Sequence, residues 1–184
     1  MANEIAIALP ARSGDPPRTR LAMPHQQLDQ TAPAEVQAEL LRRMTGLSGV
    51  RLGRSGVSLP ESRALHLDPQ LAHGPADAFM VGTEFAHLHG PSDGSLHAML
   101  PAPAVAEAIN KGWGELHPLA RDGTAPATLV MLYGPRDAIE LESVWQLVQA
   151  SYAFARGSTG ERGMRSSSIN PAEGARLVDD GPGS

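Results

Sequence analysis

Cysteine is absent from all 184 residues, which removes disulfides, thiolate metal sites and cysteine nucleophiles together and fits a cytoplasmic protein. Aromatic side chains make up only 4 % of the chain, so a core must rest on Leu, Val, Ala, Ile and Met. Lys and Arg form neither a stripe nor a block and the net charge is −5, which argues against a phosphate-backbone footprint and hence against a nucleic-acid partner. No stretch approaches the roughly 18 apolar residues that a membrane span needs. The leading Met1–Pro10 run carries an acid, Glu4, and no basic segment ahead of its apolar residues, so it makes a poor secretory signal. The glycines, Gly53 and Gly56 among them, form neither a phosphate loop nor a dinucleotide fingerprint. These absences lead to an expected soluble, cytoplasmic chain with no membrane and no nucleic-acid partner.

The length suits one domain with a genuine core rather than two. Residues 1–33 read as a Pro-rich N-terminal arm, with Pro10, Pro16, Pro17, Pro24 and Pro33 disfavouring both helix and ladder. Residues 158–184 are rich in Ser, Gly and Arg and read as a flexible tail. A single α+β domain occupies 34–157. Either terminal segment can order against a partner, and a homo-oligomer is compatible with this layout.

Within the domain, Val36, Leu40, Met44 and Leu47 mark one helical face after Pro33. Val57–Leu59 and Arg63–Leu67 read as a hairpin around Pro60. A strand from about Phe79 and another over 95–100 flank the turn residues Gly90–Gly94 and should pair antiparallel. Pro101 launches a helix with Val105, Ala108 and Ile109 on one face, and 128–133 is a buried-type strand. Asp137 and Glu140 form a capping-box-like start to a final helix carrying Leu141, Val144, Trp145, Val148 and Tyr152. The element order predicts an α+β fold, a mostly antiparallel sheet of about five strands with two or three helices on one face.

What the chain does have is histidine in one place. Four of its seven, His87, His89, His97 and His117, fall within 31 residues. Imidazole titrates nearest neutral pH, so such a cluster serves as proton shuttle, metal ligand set or pH switch. Strand alternation turns Phe85, His87 and His89 to one side and Glu84, Ala86 and Leu88 to the other. A regular hairpin sets His87 opposite His97 and His89 opposite Ser95, with three imidazoles lining the face that the helices leave uncovered. The loop over 112–121, bearing Glu115 and His117, is expected to close a pocket there.

Three chemistries follow from that geometry. In the first, His87, His97 and His117 with Glu115 do general acid/base work, while His89, Ser95, Trp113 and Arg136 bind the small-molecule ligand, with no cofactor. Proton-transfer reactions of isomerase, cyclase or lyase type in small-molecule biosynthesis fit this set. In the second, His87, His89 and His97 ligate one divalent transition metal. In the third, the histidines are ordinary polar strand residues of a non-catalytic binding or oligomerisation module. Asp93-Gly94-Ser95 beside His97 lacks the Gly-x-Ser-x-Gly elbow of a serine nucleophile.

Phe85-Ala-His-Leu-His-Gly-Pro-Ser-Asp-Gly-Ser-Leu-His97, Gly112-Trp-Gly-Glu-Leu-His-Pro-Leu-Ala120 and Tyr133-Gly-Pro-Arg-Asp137 occur in this order. Together they resemble the luciferase-domain family of largely uncharacterised bacterial and fungal proteins, over about residues 35–157. The resemblance implies that the three motifs belong to one domain and meet in space. It is not a resemblance to the flavin-dependent luciferases, which are large barrels, and it carries no mechanism or catalytic residues with it.

Overall fold

A computed structural model of the chain describes residues 7–158. The expected tail lies outside the described residues apart from Ser158. The α+β architecture holds, with six strands in the main sheet. β1 (Thr19–Arg20) and β2 (Gln26–Gln27) form a separate short ribbon in the N-terminal segment. Then come α1 (Ala34–Thr45), β3 (Val50–Arg54), β4 (Arg63–Leu67), a 3-10 turn (Ala76–Ala78), β5 (Glu84–Leu88) and β6 (Leu96–Met99). α2 (Ala102–Asn110), β7 (Gly114–Leu116), α3 (Pro118–Arg121), β8 (Leu129–Leu132) and α4 (Ala138–Ala155) complete the described chain. The sheet order is β3-β4-β5-β6-β8-β7, all antiparallel.

The core lies between one face of the sheet and the helices. Leu65, Leu67, Ala86, Leu88, Leu96, Ala98, Val130 and Leu132 pack against Leu40 and Met44 of α1 and Leu141, Val144, Leu147 and Val148 of α4. Each fully buried Leu or Val contributes about 1.5–3 kcal/mol relative to exposure. α4 starts as the sequence indicates, with Asp137 Oδ1 accepting from the N–H groups of Ile139 and Glu140 at 2.9 and 2.8 Å. The reciprocal half of the box is displaced by one residue, because the Glu140 carboxylate accepts from the N–H of Arg136 rather than that of Asp137.

Several boundaries depart from the sequence expectations. The partner of β4 is β3, not Val57–Leu59, which lies in the connecting loop. β3 is an edge strand with Arg51, Leu52, Gly53 and Arg54 all exposed, so it carries no apolar alternation to betray it. The strand expected from Phe79 begins at Glu84, and α2 buries Ala104 and Ala108 while Ile109 stays exposed. The stretch read as a loop over 112–121 contains β7, which pairs with β8, and α3, which His117 caps. Pro118 at the first helical position and the preceding imidazole explain that start.

Leu147 is fully buried at the helix–sheet interface, whereas Ile139 on the same helix is 82 % exposed. Leu147→Ala is expected to cost about 2–5 kcal/mol, and Ile139→Ala less than about 0.5 kcal/mol, both read from urea unfolding midpoints.

Candidate functional site

The opposite face of the sheet carries the chemistry. β5 and β6 pair with His87 opposite His97, and the N–H of His89 donates to the Ser95 carbonyl at 2.9 Å. Gly94, at φ +70°, makes the connecting turn. These imidazoles are not on an open face, as strand alternation alone predicts: His87 is 1 % exposed. The N-terminal arm folds over them and adds His25 from just before β2. Five rings result, centred on His97, whose centroid lies 4.5–5.2 Å from those of His25, His87, His89 and His117.

Each outer imidazole is held from behind. His87 Nδ1 donates to Glu84 Oε1 at 2.8 Å, and that carboxylate also accepts from Ser55 Oγ at 2.7 Å and the Gly56 N–H at 2.9 Å. His89 Nδ1 lies 3.0 Å from both Asp93 Oδ2 and Ser95 Oγ, while the Ser95 hydroxyl and N–H donate to Asp93 Oδ1. His25 Nε2 donates to Glu115 Oε1 at 2.9 Å, and Arg121 holds the other Glu115 oxygen. His117 differs, because its Nδ1 accepts the Leu119 N–H at 3.1 Å, which fixes the proton of the neutral ring on Nε2.

Glu84 corrects the alternation argument. Between β4 and β5 the register slips, with Leu65 opposite Ala86 but His66 opposite Glu84, so Phe85 is the extra residue of a β-bulge. Phe85 therefore turns into the helix-side core, and Glu84 comes round to the histidine face.

The inner nitrogens converge. His87 Nε2 and His89 Nε2 lie 3.0 and 3.2 Å from His97 Nδ1, and His25 Nδ1 lies 3.1 Å from His97 Nε2. Two triads have their nitrogens within 4.8 Å of one another, His87/His89/His97 and His25/His97/His117. A cavity of about 490 Å³ opens over the rings. Besides the five imidazoles its wall is largely apolar, with Met23, Leu59, Phe79, Met80, Met99 and Leu129 as the larger members and Gln26, Ser58 and Ser62 adding polar groups.

The remaining sequence candidates fall behind or away from this wall. Ser95 is fully buried behind His89, and Glu115 reaches the cluster only through His25. Trp113 is a core residue whose indole N–H donates to the Pro10 carbonyl at 2.7 Å. Arg136 binds Glu140, Gln30 and Ser13 and so pins the N-terminal arm. Neither Trp113 nor Arg136 lines the cavity. Sequence reasoning missed His25, which stands in a Pro-rich segment without periodicity, and the orienting roles of Glu84 and Asp93. The Asp93-Gly94-Ser95 turn was the one available signal for the last of these, since Asp side chains bond to the backbone two residues on.

Burial lowers the pKa of His87, an effect only partly offset by Glu84. His97 is held well below its ordinary value, first by burial and then by the surrounding imidazoles. His117 is lowered to about 4 by burial and by repulsion from His25, His87 and His89, against a weak opposing pull from Asp122. For Glu84 and Asp93 burial raises the pKa, but the histidine, hydroxyl and N–H donors together outweigh it, and the net shift is downward. A neutral buried His loses out when the unfolded chain takes up a proton that the folded one refuses. Stability is therefore full above the unfolded His value of about 6.5 and falls as pH drops through the window down to about 4. The urea midpoint should decline across that interval; a flat midpoint contradicts the burial of His87, His97 and His117 as neutral rings.

Comparison with known proteins bears on the same strands. Residues 82–151 match the family model described as Luciferase domain, a shorter stretch than the three motifs suggested but one that contains all of them. Proteins named luciferase from Armillaria gallica and Armillaria mellea are 38 % identical over 73 residues, and one from Neonothopanus nambi is 40 % identical over 73. These alignments cover 39 % of this chain and 27 % of each relative, so the chain spans about a quarter of the length of the curated relatives it matches. No solved structure matches. Over residues 82–151, the stretch that supplies four of the five clustered imidazoles and all three orienting carboxylates, the chain resembles the luciferase-domain family.

Proposed function

We propose that the chain is an enzyme whose cavity takes a small, largely apolar molecule bearing one carbonyl or hydroxyl oxygen and moves a proton on it, as in an isomerisation, cyclisation or elimination. The observation that carries this reading is an apolar cavity of about 490 Å³ ending on five imidazoles. That combination of greasy walls and a few convergent polar groups is what small-molecule sites use. The relatives' name, luciferase, supports an enzyme reading; light emission is not part of the proposal.

The roles divide by which nitrogen is free. His117 lines the cavity with Nδ1 engaged by the Leu119 N–H, so Nε2–H is left to donate to the ligand oxygen. A neutral imidazole at a helix start makes such a donor, stabilising negative charge on oxygen without surrendering its proton. A proton leaving the ligand is received by the inner cluster. His25 then links His97 to Glu115, a side chain 17 % exposed, which gives that proton a route outward.

Acetophenone and ethylbenzene, alike in shape but differing in the oxygen, test the reading by calorimetry or ligand-observed NMR. Wild type should favour the ketone, and His117→Asn, which keeps a side-chain cap for α3, should lose about tenfold of that preference, the equivalent of one neutral hydrogen bond. Ala125→Trp, at the cavity wall, should weaken both probes. A ketone preference indifferent to His117 contradicts the assigned role, and absence of binding by either probe contradicts the cavity reading.

A further inference from the structure

We propose that His87 Nε2, His89 Nε2 and His97 Nδ1 hold one divalent transition-metal ion at the inner end of the cavity. The inference rests on the cavity of the preceding reading but on neither the donor role of His117 nor proton uptake by the inner nitrogens, which the ion would occupy.

Proton counting carries the first part. Neutral imidazole has one N–H and one lone pair. Glu84 and Asp93 accept from Nδ1 of His87 and His89, so both Nε2 atoms present lone pairs to His97. Glu115 accepts from His25 Nε2, which leaves His25 Nδ1 as an acceptor for His97 Nε2–H. The His97 Nδ1 lone pair then faces the other two. The lone pairs of His87 Nε2 and His89 Nε2, atoms 3.0 and 3.2 Å from His97 Nδ1, repel that of His97 Nδ1 unless a cation lies among them. Tetrahedral zinc with Zn–N of about 2.0–2.1 Å needs ligand atoms roughly 3.3 Å apart, a few tenths wider than these separations.

Charge carries the second part. Glu84 and Asp93 are 0 % and 3 % exposed, and neither pairs with Lys or Arg among the described residues. Two buried carboxylates that meet imidazoles, hydroxyls and backbone N–H groups but no Lys or Arg leave negative charge without a fixed counter-charge among the described residues. A dication one ring away supplies it, in the carboxylate–histidine–metal arrangement that orients ligands and raises their basicity. The other triad does not compete, since His117 carries its proton on Nε2 with Nδ1 engaged, and His25 is consumed by Glu115 and His97. All three ligating residues line the cavity, so the ion has a side open to a small molecule. An all-imidazole set suits zinc, iron, copper or nickel.

Zinc is the probe. Full-length chain purified without a polyhistidine tag, stripped with chelator and dialysed, is titrated with Zn²⁺ while uptake is followed by calorimetry and elemental analysis. One equivalent should bind and raise the thermal midpoint, and Co²⁺ in its place should show visible ligand-field bands. Asp93→Asn, isosteric and distant from the ion, should weaken Zn²⁺ about 10–100-fold. His89→Ala should abolish uptake, whereas His73→Asn, an exposed surface histidine, should leave it at one equivalent. No uptake by the folded stripped chain overturns the proposal, as does unchanged affinity in both Asp93→Asn and His89→Ala. Ketone preference in the stripped protein is read separately. If it persists without Zn²⁺ uptake, the metal inference alone fails; if Zn²⁺ binds without ligand preference, the preceding reading alone fails.

Discussion

The site depends on one repeated interaction: a carboxylate accepting from one nitrogen of an imidazole and so deciding what the other nitrogen presents to the cluster. Glu84 does this for His87, Asp93 for His89 and Glu115 for His25. Each rests on a different local device. Glu84 needs the bulge at Phe85, Asp93 needs the Gly94 turn, and Glu115 needs β7 paired alongside β8. Removing any of these devices changes the chemistry of a ring that the strands would still hold in place.

The sheet separates two incompatible environments. Its helix side is apolar and supplies the stability, while its other side buries rings and carboxylates that cost free energy unless every polar atom finds a partner. That face is covered by the N-terminal segment, through the Arg12, Gln27 and Arg136 contacts and His25 itself, instead of by a helix. The cavity survives between segment and sheet because large apolar side chains, Met23, Phe79 and Met99 among them, stand around the rings without filling the space over them.

Much of this was legible in the sequence where periodicity carries information. α1 and α4, the β5–β6 register, and the meeting of His87, His89 and His97 on one face follow from patterns of 3.6 and 2. Legibility stopped where a pattern has no local cause. Phe85 looks like any alternating strand residue, so the bulge that returns Glu84 to the site is invisible without its partner strand. β3 and β7 are short edge strands whose exposed or mixed positions show no alternation. His25 sits 62 positions ahead of His87 in a Pro-rich stretch and joins the cluster only through tertiary contacts. Conversely, Trp113 and Arg136 look functional by residue type and serve packing and the anchoring of the arm.

The central claim is that the carboxylates fix the tautomers and leave unprotonated nitrogens converging on one point. Nitrogen-15 NMR of the histidine side chains in the full-length chain near pH 7 reads this directly. The structure predicts Nδ1–H on the rings of His87 and His89 and an Nε2–H ring for His117, with His87 and His117 neutral. Imidazolium signals at His87 or His117, or Nε2–H tautomers at His87 and His89, contradict it.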